Sequence, residues 1–140
     1  MQGTSGEVLR PERAVAPDAH GVGTVNGADI DISGFSECAF HLDVGTVGAS
    51  GTVDAKVQEA ADDGSGSPDT YSDVAGTTIT QITATDKTAL ISLNAEKRKK
   101  FLRLVVTVGT AASDLAATAI KSRGKYQPTT QDADEVLIIE

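Results

Sequence analysis

The chain has 140 residues, a single cysteine, no tryptophan, 3 Phe and 2 Tyr. That length suits one domain with one core, which must be built from Val, Ile, Leu and Ala. A formal net charge of −8, from 20 Asp+Glu against 12 Lys+Arg, argues against binding a nucleic-acid backbone or an anionic membrane.

Residues 1–21 are polar and carry Pro11, Pro17 and several glycines. They read as an extended N-terminal arm, made less acidic than the body by Arg10 and Arg13. No apolar stretch in them has the form of a signal peptide, and no apolar run in the chain approaches the ~20 residues of a membrane helix. With Cys38 alone, neither an internal disulfide nor a cysteine zinc site is expected. Synthesis in a reducing cytoplasm fits that usage.

The body is expected over residues 22–123. Asn26-Gly27 between β-formers signals a hairpin within residues 22–32, because a type I′ turn needs φ > 0 at both central positions. Residues 37–44 (ECAFHLDV) alternate strictly, with Cys38, Phe40, Leu42 and Val44 on the core face. Residues 52–59 alternate again, with Val53, Ala55 and Val57 inward, and the short glycine-rich link predicts a hairpin between these two strands.

Residues 60–70 read as an exposed loop and 71–74 as a short strand. In residues 76–85 the spacing of Ile79 and Ile82 suits a helix, whereas the β-branched neighbours oppose one. In residues 88–94, Ala89, Ile91 and Leu93 share a face with Leu90 opposite, so cover on both sides is expected. A charged turn (95–100) precedes a strand with Leu102, Leu104, Val106 and Val108 inward, and residues 116–123 close the body. About seven or eight short strands separated by frequent turns predict an all-β fold, a small antiparallel β-sandwich or jelly roll.

Residues 124–140 read as a polar linker followed by the apolar run Val136, Leu137, Ile138 and Ile139. Four such residues must be covered, either as a last strand on the chain's own sheet or by strand addition to a neighbour. The linker reaches up to roughly 40 Å, which leaves both open.

No catalytic set emerges. Cys38 and His41 fall on opposite faces of one strand, and His20 has no assignable partner. Asp62, Asp63 and Ser65 lack the spacing of a calcium loop. Asp29 and Asp31 lie on one side of a strand, an arrangement more common on a wet edge than at a cation. No glycine pattern suits a nucleotide, and Tyr71 and Tyr126 are too few for a sugar platform. No catalytic, metal or cofactor residue is therefore expected. The one basic cluster, Lys97, Arg98, Lys99 and Lys100, lacks interleaved aromatics. It suits a solvated turn or an acidic patch on a partner protein.

Several segments carry a family resemblance: VGTVNGADIDISGFSECAFHLDVGTV (22–47), GTVDAKVQEAADDG (51–64), YSDVAG (71–76) and KRKKFLRLVVTVGT (97–110). In this order they resemble the capsid cement, or decoration, proteins of tailed phages. The resemblance covers roughly residues 22–123. It implies a jelly-roll domain on the outside of an HK97-like shell, bound to the major capsid protein, with no catalytic residues. A homo-oligomer is expected, a dimer first and a trimer second, with no nucleic-acid or membrane partner. Candidate contacts are Arg10, Arg13 and Val15 in the arm, Lys97, Arg98, Lys99 and Lys100 in the turn, and Val136, Leu137, Ile138 and Ile139 in the tail. Copy number distinguishes a cement protein from a tail, baseplate or head-completion part, and a glycan or calcium dependence would mark an adhesin module.

Overall fold

The computed structural model describes residues 9–122 and 134–139. Ten strands occur in these residues: β1 (Leu9–His20), β2 (Gly23–Asn26), β3 (Ile30–Asp31), β4 (Glu37–Val47), β5 (Thr52–Ala60), β6 (Ser72–Asp73), β7 (Lys87–Asn94), β8 (Phe101–Gly109), β9 (Ser113–Ser122) and β10 (Glu135–Ile139). They form two sheets, ordered β1-β9-β4-β7-β10 and β2-β8-β5-β6, with β3 also on β8. The fold is an all-β sandwich.

The pairing follows one rule. The first long strand pairs with the last of the body, β1 with β9, and then β2 with β8, β4 with β7 and β5 with β6, all antiparallel. This is a single long hairpin, folded at the loop between β5 and β6 and rolled up. Rolling closes the sheets through two further pairs, β4 with β9 and β5 with β8. The result is the double Greek key of a jelly roll.

In a rolled hairpin, the long strands that follow one another along each arm fall in opposite sheets. The hairpin expected between residues 37–44 and 52–59 is therefore absent: β4 and β5 lie in opposite sheets and face each other across the core. Their apolar faces are as expected. Cys38, Phe40, Leu42 and Val44 meet Val53, Ala55 and Val57, and all are at most 2% exposed. Leu102, Leu104, Val106 and Val108 of β8 and Ala89, Ile91 and Leu93 of β7 complete the same core.

The Asn26-Gly27 hairpin is likewise absent, since β2 and β3 both pair with β8. Gly27 serves a close approach instead. Its N–H donates to the Leu104 carbonyl at 2.8 Å, and the next N–H, of Ala28, donates to the Ala14 carbonyl at 2.8 Å. A Cβ at Gly27 would lie 2.6 Å from the first of these oxygens and 2.7 Å from the second. Running along β8 from β2 to β3, the chain is tied here to the edge strand β1 of the other sheet, in a gap that admits no side chain.

The proposed N-terminal arm is corrected from Leu9 onward: Leu9–His20 is the edge strand β1 of the first sheet. Register shifts around Val15 break its alternation and let Ala14 and Val15, at 2% and 3% exposure, both enter the core. Pro11 and Pro17 are tolerated because an edge strand needs only half of its N–H groups for pairing. The rest of the arm, residues 1–8, and the linker over residues 124–133 lie outside the described residues.

Residues 76–85, which suited neither helix nor strand, run irregularly along the outer edge of β5. Ile79 N–H donates to the Ala55 carbonyl at 3.1 Å, and Ile82 exchanges two bonds of 2.9 Å with Val53. The buried Thr77 hydroxyl accepts from Val57 N–H at 3.0 Å and donates to the Val74 carbonyl at 2.7 Å. An edge that would otherwise be open to other chains is thereby closed.

Gly27→Ala should lower stability by about 1–3 kcal/mol, because the new methyl meets two backbone carbonyls that belong to different sheets. The shift of the urea midpoint measures this. Gly66→Ala, in the exposed loop with nothing within 4 Å but a φ of +93, should cost less.

Candidate interaction surfaces

The basic turn is built where β7 leaves its sheet. Asn94 caps a 3₁₀ turn over Ala95–Lys97, its side-chain oxygen accepting the Glu96 N–H. Arg98 then reaches Glu59 at 3.8 Å, and the same carboxylate accepts the Lys99 N–H at 3.1 Å. Lys100 lies 3.8 Å from Asp62 and 5.3 Å from the centre of the Phe101 ring. Arg98 and Lys100 thus each have a carboxylate partner within the chain. Lys97 and Lys99 point to solvent.

The tail forms β10, the outermost strand of the first sheet, and pairs with β7 in parallel. Leu137 and Ile139, partly buried, pack against the core. Ile138, in register with Ser92, turns outward and is 51% exposed. Val136 is in register with Leu90; its side chain lies outside the described residues. Polar anchors hold the start of the strand. Thr80 donates its N–H and hydroxyl to the Glu135 carboxylate, and Thr88 N–H donates to Asp134 at 2.7 Å.

In β1, Arg10 and Arg13 are exposed, while Val15 belongs to the core. Of the contact candidates, Arg10, Arg13, Lys97, Lys99 and Ile138 therefore remain at the surface, on three separate strands or turns.

Sequence reasoning missed a buried lysine. Lys121 ends the inward row of β9, with its side chain 4% exposed, its Nζ 2.9 Å from Glu12 and donating to the Asp31 carbonyl at 3.0 Å. The same ammonium sits 4.8 Å from the centre of the Phe35 ring. It ties β1, β9 and the loop after β3 together. Apolar alternation gave no sign of it, because a cation at an inward position looks like the end of the pattern.

Cys38 is fully buried, and burial pushes its thiol up to about 12, so the thiolate is not accessible near neutrality. Asp29 and Asp31 are separately engaged, one accepting the Tyr71 hydroxyl at 2.6 Å and the other the Ser33 N–H at 2.9 Å. The Asp63 carboxylate is taken up by the N–H and hydroxyl of Ser65 in its own loop.

The outer faces of the two sheets differ. On the β8 sheet, Arg103 stacks 4.0 Å from the centre of the Tyr71 ring and donates to Gln58, which donates in turn to Asp73, itself paired with Lys56 at 2.9 Å. This face is charged and satisfied internally. On the β4 sheet, the central outward residues are Ala39, His41, Leu90, Ser92, Thr118 and Ile120, none a carboxylate, lysine or arginine, and all half-buried.

No protein-family model matches the chain, and no curated protein matches it. Solved structures do. The chain is similar to that of infectious bursal disease virus Gx strain, with 14% identity, a TM-score of 0.52, and coverage of 84% of this chain and 33% of the other. The VP2 subviral particle of the same virus gives 15% identity, a TM-score of 0.48, and coverage of 84% and 34%. The SPBc2 prophage-derived protein YomS gives 12% identity, a TM-score of 0.45, and coverage of 81% and 94%. The chain spans about a third of the length of the two viral chains. At these identities, what is shared is the fold.

The Thr88 N–H, with help from Lys87, holds the Asp134 carboxyl below its ordinary value of 3.8. A carboxyl lowered in the folded state contributes stability above its unfolded pKa and loses it as pH falls through the folded pKa. Hydrogen-exchange protection of Leu137, Ile138 and Ile139, corrected for intrinsic rates, should therefore drop on acidification below that ordinary value, ahead of protection in β4. Asp134→Ala should produce the same selective loss at neutral pH.

Proposed function

We propose that the chain is a structural virion protein: a cement, or decoration, protein that binds the outside of a tailed-phage capsid and bridges major capsid protein subunits. The observation that carries the reading is the rolled-hairpin jelly roll, a fold similar to that in infectious bursal disease virus. The resemblance of residues 22–123 to phage cement proteins points the same way. So does a body whose polar groups are spent on its own architecture: Glu59, Asp62, Asp73 and Lys121 all serve contacts within the chain.

The role is mechanical, with no reaction and no cofactor. Many modest contacts, repeated by the symmetry of the shell, become effectively permanent. The acidic charge keeps the chain off the packaged nucleic acid and off membranes, and keeps copies dispersed until a shell is present. Arg10 and Arg13, on the edge strand β1, are cations suited to acidic groups on the major capsid protein. A homo-oligomer, a dimer before a trimer, is the unit that would straddle a subunit boundary.

Gel densitometry of purified particles tests this. A cement protein should be present at on the order of hundreds of copies, comparable to the major capsid protein. Particles lacking it should assemble but rupture at lower temperature or on osmotic shock. A dozen or fewer copies would assign the chain to a tail or connector, and absence from the particle would end the virion reading.

A further inference from the structure

We propose that the outer face of the β1-β9-β4-β7-β10 sheet is a self-association surface, on which a second copy of this chain packs face to face about a two-fold axis. The inference concerns self-association only and holds whether or not the chain decorates a capsid.

The face is defined by register. Leu9, Pro11 and Arg13 of β1 lie in rows with Ser122, Ile120 and Thr118 of β9. Those rows continue to Glu37, Ala39 and His41 of β4 and to Asn94, Ser92 and Leu90 of β7. Ile138 extends the middle row. The large hydrophobics exposed among the described residues are Leu9 at 41%, Val22 at 63% and Ile138 at 51%. The first and last of these flank this one face, with Ile120, Ala39 and Leu90 between them. In a chain of net charge −8, the centre of the face carries no charged group. Depletion of charge at the centre with charge at the rim is the anatomy of a protein interface.

The rim charges choose the occupant and its orientation. At one end of the face, Asp43, Asp114 and Asp18 line a shallow concavity. At the other end, just past Asn94, the turn carries the exposed Lys97 and Lys99. A two-fold axis lying along the middle row, across the strands, sets Ile120 over Ile120 and Ala39 over Ala39. It also lays the acidic end of each copy over the lysine end of the other. An axis along the strands would instead stack the acidic ends on each other. Five strands and three rows give a footprint of roughly 20 Å by 24 Å. Two copies would then bury on the order of 1,000–1,300 Å², the lower part of the range for specific pairs.

Sedimentation of the full chain across roughly micromolar to millimolar concentration tests the proposal. The unaltered chain should be dimeric, with an affinity that falls as salt is raised. Leu90→Glu should give monomers. So should Leu9→Glu with Ile138→Glu, a pair at exposed positions that leaves the core untouched should the first variant fold poorly. Thr107→Glu, on the outer face of the other sheet, should remain dimeric. Lys97→Glu with Lys99→Glu should weaken the dimer at least about tenfold, and adding Asp43→Lys with Asp114→Lys should restore it. A monomeric unaltered chain, a trimer, a dimer that survives the Leu9 and Ile138 substitutions, or one lost on Thr107→Glu would each overturn the proposal. Failure of the charge swap to restore pairing would overturn the orientation.

Discussion

Everything in this fold depends on two sheets sharing one thin aliphatic layer. With Phe40 as the sole aromatic side chain in the layer among the described residues, no bulky ring dominates it, and closeness must replace bulk. Val against Ala against Leu, nearly all below a few per cent exposure, lets the sheets approach until Gly27, held between β8 and β1, has room for a hydrogen atom and nothing larger. Dispersion falls off steeply with distance, so small side chains stabilise a sandwich only when the backbones come this near. The close approach accounts for the missing turn at Asn26-Gly27: the glycine is needed to fit between the carbonyls of Leu104 and Ala14 on the two sheets, not to reverse a strand.

The rolled hairpin sets the division of labour between the two outer faces. Tyr71, Arg103, Gln58, Asp73 and Lys56 weave a polar layer over one sheet, which fixes the long loop between β5 and β7 against it. Among the described residues no loop covers the other sheet, and its central outward residues are uncharged. The same contrast explains where the basic turn spends its charge. Arg98 and Lys100 hold β5 and its loop, while Lys97 and Lys99 are exposed.

What the sequence could reveal followed from the range of each signal. Alternation is local, so the inward residues of β4, β5, β7 and β8 were legible one by one, whereas the cover expected over Leu90 is not found among the described residues, where its side chain is half-buried on the outer face. Pairing is not local. Nearness in sequence suggested β4 with β5, whereas β1 finds its partner about a hundred residues away. β1 itself was read as an arm because bulges around Val15 scramble its period, and because its prolines signal loops as well as edges. The uncharged outer face was written in plain sight as Ala39, Leu90 and Ile120, but only the strand order puts those residues side by side. Lys121 could not be found from pattern at all, since its partners come from β1 and from the loop after β3.

The parallel strand β10 has a consequence for how the chain reaches its native state. The nine antiparallel strands β1 to β9 are complete without it, and its docking site, the free edge of β7, exists only once β4 and β7 have paired. The body must first bring β1 to β9, the widest loop closure in the molecule, and folds dominated by such distant pairings form on a timescale of about milliseconds to seconds. Throughout that interval β7 presents an unprotected hydrogen-bonding edge. β10 therefore acts last, as the chain's own guard against pairing with other nascent copies, and the crowding of a cell making many copies at once sets how soon that guard must arrive.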